Sequence, residues 1–146
     1  MALRDTVTGN QPTQWHFWTL SERLGESSAA ANRETFLAKT PGNKNAPLRE
    51  LTGDRFTAIG RFGVDLETYV ANPVDTPRYT LRFGVSSGVY GARGDPTFQD
   101  LLHLQLPDDG NYFVLLYPHP ADQPAPEFAT LGNGKIIKIV TANGAD

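Results

Sequence analysis

"LLHLQLPDDGNYFVLLYP", residues Leu101 to Pro118, is the stretch on which the fold turns. Its first half alternates: Leu102, Leu104 and Leu106 fall on one side of an extended chain, Leu101, His103 and Gln105 on the other. Period two marks a strand with one buried face. The second half, Tyr112 to Tyr117, is apolar on both sides, so it reads as a central strand covered by two packed layers. Pro107-Asp108-Asp109-Gly110 suits a type I turn followed by a left-handed glycine. The stretch therefore predicts a β-hairpin whose second strand is central.

Outward from it, the same period recurs. "RFTAIGRF" sets Phe56, Ala58, Gly60 and Phe62 against Arg55, Thr57, Ile59 and Arg61. "LETYVA" sets Leu66, Thr68 and Val70 against Glu67 and Tyr69, and "RYTLRF" sets Tyr79, Leu81 and Phe83 against Arg78, Thr80 and Arg82. In each case the apolar set is expected inside and the charged set in water. "ANPVDTP" is a turn by its prolines, and Gly84 to Thr97 is a glycine-rich loop. Gly132-Asn133-Gly134 marks another tight turn, before a last strand bearing Lys138. Towards the start, Gln14 to Leu20 reads as a short strand or arm, and Asn32 as the cap of a helix over Arg33 to Lys39, closed by Pro41-Gly42. Asn43 to Asp54 has no period and reads as a loop. The expectation is an all-β antiparallel sandwich with one short helix. Residues 54–146 form its core and residues 1–53 an aromatic arm, helix and loop packed on it, in one domain overall.

The totals agree with a globular chain: 146 residues, 39% hydrophobic, 20% charged and no cysteine. Absence of cysteine removes disulfides and thiolate metal sites together. A net charge of −3 argues against a general nucleic-acid binder. The start has no apolar run behind a basic end, and the longest apolar run, "YFVLLYP", is too short to span a bilayer, so no membrane partner is expected. The ending just after a strand-like run leads to the expectation of a piece of a longer protein.

Chemistry-bearing motifs are few. None of His16, His103 and His119 has a second histidine or a carboxylate at the spacing of a compact metal motif. His103 in an alternating strand reads as a half-exposed sheet residue, and no metal and no cofactor are expected. There is no GxSxG, Walker or dinucleotide pattern. Asp108-Asp109 and Arg93-Gly94-Asp95 are first of all turn chemistry. Trp15 and Trp18 fall on different faces of a strand, so they form no flat stacking platform unaided and at least one of them is expected in the core. No catalytic residue emerges. The one binding candidate is a guanidinium row: Arg55 and Arg61 on one strand and Arg78 and Arg82 on another, with Tyr69 nearby, could grip sulfate or carboxylate groups bidentately if the strands pair with outer faces aligned. The bland alternative is a solvated face with Glu67 as partner.

From about Asp54 onward, "DRFTAIGRFGVDLETYV", "LHLQLPDDGNYFVLLYP" and "PAPEFATLGNGKIIKIVT" resemble the C-terminal β-domain of heparinase II/III-like polysaccharide lyases. The resemblance implies a non-catalytic accessory sandwich of a larger secreted or periplasmic protein, packed against a catalytic domain of the same parent chain that is not in this sequence. It carries over no catalytic residue. The alternative is a carbohydrate-binding module that meets acidic polysaccharide through the arginine face.

Overall fold

The computed structural model describes residues 1–39, 46–73, 75–85, 97–106, 110–141 and 144–145. In chain order the first elements are β1 (Ala2–Val7), β2 (Thr13–Thr19), β3 (Arg23–Glu26), α1 (Ser27–Ala30), α2 (Arg33–Ala38) and β4 (Ala46–Glu50). Then follow β5 (Arg55–Ile59), β6 (Val64–Val70), β7 (Arg78–Val85), β8 (Thr97–Leu106) and β9 (Gly110–Pro120). The chain closes with β10 (Glu127–Leu131), β11 (Ile136–Thr141) and the short β12 (Gly144–Ala145).

A five-stranded sheet, β1-β9-β6-β5-β3, faces a four-stranded one, β2-β8-β7-β4, and all their pairings are antiparallel. Inward side chains of both sheets meet in one core: Phe56, Val70, Tyr112, Val114 and Leu116 from the first, Leu102 and Leu104 from the second. This is the antiparallel β-sandwich that the alternation predicts. β9 lies between β1 and β6, with Val114, Leu115 and Leu116 buried, as its two-sided apolarity requires.

The hairpin expected of Leu101 to Pro118 does not form. β8 pairs with β2 and β7, whereas β9 pairs with β1 and β6, so the chain crosses from one sheet to the other. The leucines of β8 and the apolar residues of β9 meet across the core, not along a ladder. The turn residues 107–109 lie outside the described residues, as do Pro41-Gly42 and 86–96, which carry most of the glycine-rich loop and the Arg-Gly-Asp tripeptide. "ANPVDTP" likewise connects β6 in one sheet to β7 in the other.

Residues 1–53 are not an arm laid on a finished sandwich. They supply β1 and β2 at one side of the two sheets and β3 and β4 at the other. β4 also replaces part of the loop expected over Asn43 to Asp54. Within this segment the short helix is as expected: the Asn32 side chain accepts from Thr35 N at 3.0 Å at the start of α2. α1 is an additional helical turn.

β5 stops at Ile59, short of the expected Phe62. Gly60 to Gly63 make the turn into β6; Gly63 has φ 74°, and a Cβ on Gly60 would lie 1.7 Å from the Val64 carbonyl oxygen. Only glycine fits there. The turn between β10 and β11 is left-handed at Gly132, Asn133 and Gly134, as the sequence suggests.

The outer face of the five-stranded sheet is covered by the chain itself. Ala30 and Phe36 of the helices pack on Ile59, and Phe128 of β10 stacks on Tyr69 at 5.5 Å. The outer face of the four-stranded sheet has no such cover among the described residues.

Candidate functional site

The guanidinium row is not assembled. Arg55 belongs to the five-stranded sheet, Arg61 to the exposed β5–β6 turn, and Arg78 and Arg82 to the four-stranded sheet. The faces of β7 are also the reverse of those expected: Arg78, Thr80 and Arg82 point inward, and Tyr79, Leu81 and Phe83 outward. Register is the cause. Arg78 lies opposite Leu104, Thr80 opposite Leu102 and Arg82 opposite Asp100, so the inward leucines of β8 carry the polar face of β7 inside with them.

Each buried arginine is held by the fold. Arg78, 1% exposed, donates to the carbonyl oxygens of Thr76, Gly53, Asn72 and Pro73 at 2.6–3.2 Å. Arg82 donates to the Glu22 carbonyl at 2.6 Å and faces Asp100 at 3.3 Å, while Ser21 donates to Asp100 at 2.8 Å. Burial pushes the Asp100 carboxyl above its ordinary range, against the opposing pull of Arg82 and Ser21. Arg55 bridges Glu67 and Glu127, and the Tyr69 hydroxyl lies 2.7 Å from Thr130 Oγ1. Arg55 and Tyr69 thus fasten β10 to the sheet. None of these four offers a free guanidinium or ring face to a polysaccharide.

Two other features carry chemistry. The first is an open cleft of about 600 Å³ over the five-stranded sheet, rimmed by α1 and the strand ends of β5, β6 and β9. Thr57 and Glu67 are opposite in register on its floor. Glu67, 2% exposed, accepts from Thr57 Oγ1 at 2.6 Å, Ser27 Oγ at 2.8 Å and Arg55 Nε at 3.2 Å. Ser27 and Thr57 hydroxyls are also 2.9 Å apart, so two hydroxyl protons serve three contacts. Arg33 pairs with Asp65 at 2.6 Å on the rim. His119 Nδ1 donates to the Pro120 carbonyl at 2.9 Å, leaving Nε2 enclosed, without a hydrogen bond and 3.8 Å from Glu67.

The described hydrogen bonds link no hydroxyl to an imidazole; the Ser27 and Thr57 hydroxyls both donate to the Glu67 carboxylate instead. Most of the network binds itself and secures α1 to the sheet. Parity in β5 and β6 could have flagged Thr57 with Glu67; nothing in the sequence placed Ser27 beside them.

The second feature is the outer face of the four-stranded sheet, over which no described helix or strand lies, although Leu101 at its centre is buried. Across β2, β8 and β7 its side chains run in register: Trp18–Leu101–Leu81 in one row, His16–His103–Tyr79 in the next, then Gln14 beside Gln105. Trp18 is 46% and Phe83 48% exposed. No lysine, arginine or carboxylate stands among these outward residues; the first charge is Glu50, opposite Tyr79 at the β4 edge. His16 Nε2 and His103 Nδ1 are 3.1 Å apart, and Tyr79 meets the His103 ring edge-on. Partial burial lowers the pKa of His103, the neighbouring His16 lowers it further, and Gln105 opposes them. Trp15, by contrast, packs on the core, so the two tryptophans divide between faces as expected. Comparison with known proteins adds no relative: no family model, curated protein or solved structure matches the chain.

Proposed function

We propose that this chain is a non-catalytic accessory β-sandwich of a larger, secreted or periplasmic polysaccharide-degrading protein, seated against that protein's catalytic domain by the outer face of its four-stranded sheet. The polysaccharide context rests on the resemblance to heparinase II/III-like lyases. The observation that supports docking is the uncharged, aromatic outer face of β2, β8 and β7. A solvated sheet face normally alternates into polar residues, and exposed apolar surface of this kind marks an interaction site. Its lack of formal charge fits another folded domain better than an acidic glycan. The alternative, a module that grips acidic polysaccharide, lacks the assembled arginine row that motivated it.

A double substitution tests this reading. Trp18→Ser with Phe83→Ser changes two half-exposed side chains and should leave the circular dichroism of the chain intact. It should weaken association with the separately produced remainder of the parent protein by roughly tenfold or more, since aromatic anchors dominate such interfaces. Equal association of the unsubstituted and substituted chains, or a parent with no further domain, contradicts the reading.

A further inference from the structure

We propose that His16 and His103 together form a binding site for a divalent transition-metal ion that favours imidazole, Zn²⁺ or Cu²⁺. The sequence pointed the other way, because its histidines show no compact motif. The two ligands are 87 residues apart and meet only because β2 and β8 pair in this register.

The geometry is already close to what a metal needs. His16 and His103 are directly opposite partners, and Nε2 of one lies 3.1 Å from Nδ1 of the other. Two nitrogens each about 2.0–2.1 Å from one ion, at the angles of tetrahedral or octahedral coordination, stand roughly 2.8–3.4 Å apart. Modest ring rotation turns both lone pairs onto a shared ion, which replaces the single hydrogen bond that the pair can make. Both ligands sit on paired strands, and Tyr79 packs edge-on against His103 at 5.7 Å between ring centres, so the backbone spacing is fixed beforehand. The outward residues of β2, β8 and β7 include no lysine or arginine to repel a cation.

No cluster of three or more metal-ligating side chains occurs among the described residues, so the protein supplies two ligands here. His16 is exposed, and the remaining coordination positions open outward, to water or to whatever covers the face. Imidazole pairs of this kind select copper and zinc over magnesium or calcium, which prefer oxygen. The site stands whether or not the docking reading does, because it needs only this chain.

Calorimetric titration of the full chain with Zn²⁺ alone, and separately with Cu²⁺ alone, tests it against His16→Ala and His103→Ala. The unsubstituted chain should take up one ion with micromolar affinity. Loss of even an outer-shell partner weakens metal sites by about 10–100-fold, so either substitution should weaken binding at least roughly tenfold. Sub-stoichiometric Cu²⁺ should broaden the imidazole proton signals of His16 and His103 and spare those of His119. Amide spectra of both variants show whether they fold, and the broadening experiment reads the site in the unsubstituted chain independently of them. Absence of binding below millimolar concentration, binding that survives either substitution, or broadening centred on His119 overturns the proposal.

Discussion

Arg78 carries a positive charge that the fold uses as an internal connector. Its guanidinium donates to four backbone carbonyls around Gly53 and the 72–76 segment, and so joins the entry of β5 to the crossover between sheets. Burial lowers its pKa, while Asp54 and Asp75 oppose that shift, and a guanidinium stays protonated through such changes. A lysine keeps the charge but lacks the planar fork that reaches four acceptors. Arg78→Lys should therefore destabilise the chain by at least about 2 kcal/mol in urea denaturation, because buried carbonyls lose charge-assisted donors. A change within about 0.5 kcal/mol, the range of ordinary surface substitutions, would contradict this role. The sequence shows an arginine at an alternating position; it does not show four carbonyls converging on it from elsewhere in the chain.

At the scale of elements, β7 shows where pattern reading stops. Its period was readable, but its facing was not, because Tyr79, Leu81 and Phe83 look more like a buried set than Arg78, Thr80 and Arg82. Register with β8 overrode that preference, and pairing with Asp100 and backbone carbonyls made the inward arginines tolerable. The strand and sandwich class were readable for a simpler reason: core leucines and valines alternate wherever a single face is buried. Helix placement rests on a similar close fit. α2 lies over β3 so tightly that a Cβ on Gly25 would stand 2.7 Å from Cζ of buried Phe36. Gly25→Ala should displace that ring and destabilise the chain by about 1–3 kcal/mol. Gly53→Ala is the control, since its Cβ meets nothing nearer than 3.8 Å. Similar melting of the two variants would mean that α2 is not packed as described.

For the whole molecule, the contrast between its two outer faces carries the argument. One is closed by α1, α2 and β10 through Phe36, Phe128 and the Arg55 bridge; the other leaves Trp18 and Phe83 half exposed. The candidate site was less readable than the fold, because both the histidine pair and the apolar rows depend on which strands become neighbours. The chain has no cysteine, so a single introduced thiol reports one position. Phe83→Cys lies on the open face and Lys138→Cys on the exposed side of β11. In the isolated chain both thiols should react readily with a maleimide. In the intact larger protein, labelling at position 83 should slow by at least roughly tenfold while position 138 is unchanged, because thiol reaction depends on access. Equal labelling of position 83 in both settings would contradict the claim that this face is covered by a partner domain.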